Sequence, residues 1–186
     1  MKSLITLFSL LVLLSLLLST ITTAQNLIEK TCKQSSETNP NIKYGFCSSS
    51  LQAAPASRCA ALRGLGSIAI RLVRYNLTDT RCETKMLLKN NLTMDPFVKS
   101  CLMDCFDLYS DAMLSVKQAM KSFNFQRYDD ANIQISSIMD AASTCEDGFK
   151  ERKGLVSPLK KRNDDAFALS AIVLSIMNLL QKRSQY

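Results

Sequence analysis

Apolar and small residues recur at Val98, Cys101, Cys105, Leu108, Ala112, Val116, Ala119 and Phe123, then again at Tyr128, Ala131, Ile135, Ile138, Ala142 and Cys145. Both series step mostly by three and four, which traces one face of an α-helix. Asp95-Pro96 marks the first start, with Asp as N-cap and Pro at the first helical position. Gly148 marks the expected stop of the second helix. Phe97–Phe149 therefore reads as a helical hairpin that turns near Asn124.

The flanking segments carry the same period. Ala54-Pro55-Ala56-Ser57 is a break, and Ser57 is the expected cap of a long helix running towards Leu92. Its stripe is Ala61, Leu65, Ile68, Leu72, Tyr75, Cys82 and Met86. The last helix should start after Ser157-Pro158 or at Asn163, with Ala166, Leu169, Val173, Ile176 and Leu180 as a narrow seam. Near the start, Leu27, Ile28 and Thr31 lead into Cys32, Asn39-Pro40-Asn41 interrupts, and Tyr44, Phe46 and Cys47 open a short helix through Leu51. These elements predict an all-α fold: an up-down-up-down four-helix bundle over residues 57–186, with a helical hairpin over 25–56 as an N-terminal extension.

Met1–Ala24 differs from the rest. Lys2 precedes an apolar run from Leu4 to Leu18, and Thr22-Thr23-Ala24 supplies small residues before a cleavage point. That is the layout of a secretory signal peptide, shorter than the ~20 apolar residues of a membrane span. No second run of that kind is expected, so the mature chain is predicted to be soluble, monomeric and secreted, to the apoplast or cell wall or else the vacuole. Removing the signal leaves about 162 residues, enough for one domain with its own core. The formal charge of +7 favours acidic partners, or simple solubility. No basic stripe with interleaved aromatics points to nucleic acid.

Seven cysteines in a secreted chain raise the question of pairing. Cys32 and Cys47 flank the Asn39-Pro40-Asn41 turn and can staple the small hairpin. Cys105 and Cys145 lie about 20 residues either side of the central turn, at equal height by the ~1.5 Å rise per residue, which suits a bridge. Cys101 is a poorer partner for Cys145, and a Cys82–Cys105 bridge competes with the Cys105–Cys145 one. Cys59 and Cys82 are too far apart to pair along a straight helix. Asn76-Leu77-Thr78 and Asn91-Leu92-Thr93 are N-glycosylation sequons, so Asn76 and Asn91 are expected to be modified.

The chain contains no histidine, which removes the usual general base, the Ser-His and Cys-His pairs and the commonest metal ligand. Asp129-Asp130 and Asp164-Asp165 are sequence neighbours and diverge on a helix, while Glu146-Asp147 reads as polar surface. No phosphate loop and no metal-spaced cysteine motif occurs. The residues describe a rigid binder with no catalytic, cofactor or metal site.

Several runs resemble one family. These are Cys32 and Cys47 around Asn39–Phe46, Leu62-Arg63-Gly64-Leu65-Gly66 with Ile68-Ala69-Ile70, Cys105–Ala112 (CFDLYSDA), and Thr144–Phe149 (TCEDGF). Together they resemble the plant invertase/pectin methylesterase inhibitor family across the mature chain, and Cys145–Pro158 resembles in particular its pollen-allergen members described as invertase inhibitors. The resemblance implies a four-helix bundle with an N-terminal hairpin, the disulfides Cys32–Cys47 and Cys105–Cys145, and action by one-to-one blocking of an invertase or a pectin methylesterase. In invertase inhibitors of this family a Pro-Lys-Phe motif at the turn between the second and third bundle helices enters the sugar cleft. That turn here reads Gln126-Arg127-Tyr128, which keeps a basic-aromatic pair and lacks the proline. Cys59, Cys82 and Cys101 fall outside the family's four-cysteine framework. A non-inhibitory secreted bundle, or a carrier with an internal cavity, is the alternative of another class.

Overall fold

The structure, a computed structural model, describes residues 27–90 and 94–184. The proposed signal segment and the Asn91 sequon lie outside the described residues. Within the described residues six α-helices follow one another: α1 over 27–38, α2 Tyr44–Ala53, α3 Leu62–Asn90, α4 Pro96–Asn124, α5 Tyr128–Lys150 and α6 Lys160–Ser184, with a 3-10 turn Pro55–Cys59 before α3. Helices α3 to α6 pack in cyclic order, α3 on α4, α4 on α5, α5 on α6 and α6 back on α3, which makes the up-down-up-down bundle.

The helix ends explain the boundaries. Asp95 Oδ1 accepts the backbone N–H groups of Phe97 (2.9 Å) and Val98 (3.2 Å), with Pro96 in the first turn of α4. Arg152, from the α5–α6 connection, pairs with the same carboxylate at 2.9 Å and lies over the Phe97 ring at 4.3 Å. The Arg152 hydrogen bond, joined by those of Val98 and Phe97, holds the Asp95 carboxyl below its ordinary range. Helix α5 runs past Gly148 to Lys150, and the left-handed residue in that connection is Gly154 (φ +83°). Ser57 caps nothing: it is buried in the 3-10 turn and its hydroxyl has no partner, and α3 begins five residues later. Cys59 consequently sits in that turn and not on α3.

The α4 and α5 stripes lie in the core, widened by Leu102 and Tyr109 on α4 and by Phe149 on α5; Val98, Leu108 and Tyr128 are half-buried at its edge. The α3 stripe needs rotating. Tyr75, Cys82 and Met86 face solvent, while Leu62, Leu65, Ala69, Val73, Leu77, Thr80 and Thr84 face inward. The two threonines enter the core because each hydroxyl donates to a carbonyl one turn back, Thr80 to Asn76 (2.8 Å) and Thr84 to Thr80 (2.7 Å).

Helix α6 is broader in its burial than a narrow seam. Ser170, Ala171, Ile172 and Met177 are buried beside the expected series, while Leu180 is half-buried. Besides α3 and α5 it carries the N-terminal hairpin, where the Ser175 hydroxyl donates to Ser35 Oγ at 2.8 Å. Contrary to the expectation of no second apolar run, α6 is long and apolar enough to cross a membrane by length and composition, and half of that stretch is buried inside the bundle. Two disulfides brace the fold, Cys32–Cys47 between α1 and α2 (Cα–Cα 5.6 Å) and Cys105–Cys145 between α4 and α5 (Cα–Cα 4.9 Å). Cys59 and Cys82 are exposed free thiols, and Cys101 is a buried one that touches the Gly148 carbonyl oxygen (3.5 Å). Burial, then Asp104 and Glu151, pushes its pKa up.

A buried polar chain crosses the bundle next to the second disulfide. The Tyr109 hydroxyl donates to Asn163 Oδ1 (2.6 Å), and Asn163 Nδ2 donates to Glu146 Oε2 (2.9 Å). Burial first, and then the Glu146 charge, raise the Tyr109 pKa, so the phenol stays a donor.

Candidate functional site

The α4–α5 turn, Phe125-Gln126-Arg127, is shaped first by backbone bonds. Gln126 N–H donates to the Phe123 carbonyl (3.0 Å), and Arg127 N–H donates to the Ser122 carbonyl (2.9 Å). With Gln126 in the left-handed region (φ +61°), this is a Schellman ending of α4. Glycine is the usual occupant of that position, so sequence pattern alone did not reveal the turn type. Arg63 at the start of α3 locks the same end by donating to the Asn124 carbonyl at 2.7 Å.

Below the turn, Phe123 is fully buried and meets Tyr128 edge to face, with ring centroids 5.5 Å apart. Gly66 of α3 lies directly against this ring: a Cβ there would fall 2.5 Å from Phe123 Cζ and 3.2 Å from Ile176 Cγ2. The absence of that one carbon lets three helices converge under the turn.

The structure brings Gln126, Arg127 and Tyr128 together with Asp129, Asp130, Asn178, Gln181 and Lys182 around an open cleft of about 760 Å³. Arg127 is exposed and pairs loosely with Asp130 (3.5 Å), an ion pair worth at most about 1 kcal/mol at such exposure. Gln181 of α6 donates to Asp129 Oδ1 (2.7 Å) and ties the first turn of α5 to the last helix. Both aspartates sit where the α5 dipole favours negative charge. Tyr128 is half-buried against Phe123, so it is part support and part surface. The fully presented aromatic is Phe125, 69% exposed at the tip, which the sequence reading did not single out. The signal was present: Phe123 and Phe125 are two apart and cannot share one helix face.

Asn76 is half-buried in the interior of α3, with its Oδ1 3.5 Å from the Thr80 hydroxyl, and Thr78 of its sequon is exposed. Among the described residues no cluster of three His, Cys, Asp or Glu side chains is placed to hold a metal ion.

A bundle braced by disulfides, whose most distinctive surface is a rigid turn and not a set of reacting groups, is built to act by binding. The chain belongs to the plant invertase/pectin methylesterase inhibitor family, whose pattern it matches over residues 26–176. Proteins of this family are enzyme inhibitors and not enzymes. The chain is 40% identical over 173 residues to a protein of Platanus acerifolia named "Putative invertase inhibitor", covering 93% of each chain. It is 30% identical over 166 residues to "Cell wall / vacuolar inhibitor of fructosidase 2" of Arabidopsis thaliana, covering 86% of this chain and 87% of that one. Its fold matches the crystal structure of a mutant form of a pectin methylesterase inhibitor from Arabidopsis, with a TM-score of 0.65 and 23% identity over 73% of this chain and 89% of that one.

Proposed function

We propose that the chain is a secreted inhibitor of a plant acid invertase that blocks the enzyme one-to-one with the α4–α5 turn. The observation that carries this reading is the turn itself: Phe125 and Arg127 project from a backbone fixed by the Schellman bonds and by Arg63. A rigid projection loses little entropy on docking, which is where affinity is gained. Arg127 exchanges its loose Asp130 partner for carboxylates of the enzyme's sugar site, and charge-assisted pairing of that kind is strong once water is excluded. Phe125 fills or stacks in a sugar subsite, Gln126 contributes backbone shape, and Tyr128 sets the rim. The relative named as an invertase inhibitor, at 40% identity, supports the choice of target.

Residues 1–24 are removed as a signal, residues 25–56 form the N-terminal helical hairpin and 57–186 the bundle, and the mature monomer resides in the cell wall or vacuole. Asn76 and Asn91 are its glycan acceptors. The turn lacks the proline of the family's invertase-binding motif, and the solved neighbour is named for pectin methylesterase, so that enzyme bound through an outer face of the bundle is the second reading.

Assaying the purified mature chain against an acid invertase and a pectin methylesterase decides between them. Invertase inhibition that Phe125→Ala and Arg127→Ala each weaken tenfold or more supports the turn. Inhibition of pectin methylesterase alone moves the target, and inhibition of neither enzyme sinks both readings.

A further inference from the structure

On the face away from α5, helices α3 and α4 leave a groove of about 520 Å³ lined by Ser67, Ile70, Arg71, Arg74, Met113, Val116, Lys117, Met120 and Asn124. Its floor is apolar, from Ile70, Val116 and the two methionines. Its rim is cationic: Arg71, Arg74 and Lys117 are exposed, and none of the three forms an ion pair among the described residues. Among the described residues no carboxylate lines it. The acids of the same helices are committed elsewhere. Asp79 and Glu83 of α3 face Arg162 of α6, while Asp104, Asp107 and Asp111 of α4 line the opposite groove against α5.

At either end of the groove the two helices are bridged, by Arg81 and Ser110 (3.1 Å) at one and by Arg63 and the Asn124 carbonyl at the other. That antiparallel register sets Lys117 opposite Arg74. Between Arg63 and Arg81, α3 rises about 27 Å at ~1.5 Å per residue, so Arg63, Arg71, Arg74 and Arg81 follow one another along the α3–α4 seam, with Lys117 across from them. Every backbone N–H in the middle of these helices is already used, so a single small anion finds no backbone cradle here. A ligand that satisfies this row of cations carries repeated negative charges along its own length.

We propose that the α3–α4 groove binds an acidic polysaccharide, a linear chain bearing carboxylates on successive sugar rings, through Arg71, Arg74 and Lys117. The absence of any aromatic among the lining residues argues against a nucleic-acid strand, whose bases call for stacking platforms. Aliphatic and thioether groups in the floor match the C–H faces of sugar rings. Pectin, named in the family's description, becomes such a polymer wherever its methyl esters are removed. The choice of polymer rests on the cell-wall location proposed above, whereas binding in the groove is read without any target enzyme. Since Asn124 ends the groove one residue before the exposed turn, polymer and enzyme would meet at the same end of the bundle.

The test is titration of the purified mature chain with de-esterified oligogalacturonate at about 0.15 M salt. Its fully methyl-esterified counterpart, poly-L-glutamate and poly-uridylate are run beside it. Wild type should bind the de-esterified chain, lose affinity as salt rises, and ignore the esterified one. The variant Arg71→Gln/Arg74→Gln/Lys117→Gln should bind at least tenfold more weakly. Lys33→Gln/Lys43→Gln/Lys153→Gln, with the same loss of charge at exposed sites elsewhere, should bind as wild type does. Protection of Lys117 from an amine-reactive reagent by the bound chain gives a readout that needs no variant. No binding by wild type, equal loss in both triple variants, equal binding of the esterified chain, or tighter binding of poly-glutamate or poly-uridylate in the groove each overturns the proposal. None of these outcomes depends on whether invertase is inhibited.

Discussion

Replacing Gly66 by alanine should destabilise the protein, although alanine is the better helix former by about 1 kcal/mol. The new Cβ would stand 2.5 Å from Phe123 Cζ, 3.0 Å from its Cε2 and 3.2 Å from Ile176 Cγ2. Carbon atoms rest at roughly 3.5–4.0 Å, so the ring must retreat by about 1 Å. It has no free space to enter: Phe123 and Ile176 are fully buried, and Tyr128 packs edge-on against the ring. Overpacking of this kind costs about 1–3 kcal/mol, which leaves a net loss of up to about 2 kcal/mol after the propensity gain. For a domain of this size that is a fall in Tm of up to about 8 °C. Gly148→Ala is the internal control. It lies within α5, nothing stands within 4 Å of its Cβ position, and the same substitution should raise Tm by about 1–4 °C. Thermal unfolding of both variants with disulfides intact measures the contrast. A Gly66→Ala protein more stable than wild type, or the two variants shifting together, would refute the reasoning. Since the displaced ring lies under the exposed turn, Gly66→Ala should also weaken inhibition, which Gly148→Ala should leave unchanged.

Other outcomes follow from the helix ends, the buried polar chain and the bridges. The folded Asp95 carboxyl titrates below its unfolded value of about 3.9, so its contribution is complete above that pH and drains away as pH falls through the folded pKa. Wild-type Tm should therefore drop more steeply below about pH 4 than that of Asp95→Asn; parallel curves would show the cap and Arg152 contribute nothing. Asn163→Ala leaves the Tyr109 hydroxyl and the Glu146 carboxylate buried without the partner they share, at about 1–3 kcal/mol for each orphaned group. An unchanged denaturant midpoint would mean water replaces the amide. Cys105→Ser/Cys145→Ser reopens a 40-residue loop and should cost about 4 kcal/mol, against about 3 kcal/mol for the 15-residue loop of Cys32→Ser/Cys47→Ser. In partial reduction the hairpin should loosen first, because α2 alone offers only Cys47, Ser48 and Leu51 to the core; proteolysis near Asn39–Asn41 reports it.

The architecture was legible where apolar spacing and side-chain chemistry agreed. The α4–α5 stripes and the equal heights of Cys105 and Cys145 follow from counting, because a long antiparallel hairpin converts sequence distance into axial height. Helix α3 was read on the wrong side beyond Ile68. There the buried positions are Thr80 and Thr84, polar by name yet satisfied by their own helix, while apolar Tyr75 and Met86 face water. Helix α6 looked narrow because its third neighbour, the N-terminal hairpin, is about 140 residues away in sequence and leaves no periodic trace. At the candidate site the basic residue of the turn could be named, but not which aromatic is presented. That choice hangs on Gln126 adopting a left-handed conformation usually held by glycine.

The burial of α6 on three sides sets a timetable for the chain's birth. Synthesis runs from the N-terminus, so α1 and α2 emerge first, and their disulfide spans only 15 residues and can close early. Their docking surface on α6, marked by Ser35 and Ser175, is made last. Helices α3, α4 and α5 likewise wait, because α6 seals the cycle between α3 and α5. Until Lys160–Ser184 has cleared the ribosome, the earlier helices hold an open apolar trench, and the cysteines outside the first bridge are free to find wrong partners. A chain cut short by the last two turns of α6 would thus be lost as a whole: the first helices made are anchored by the last one to arrive.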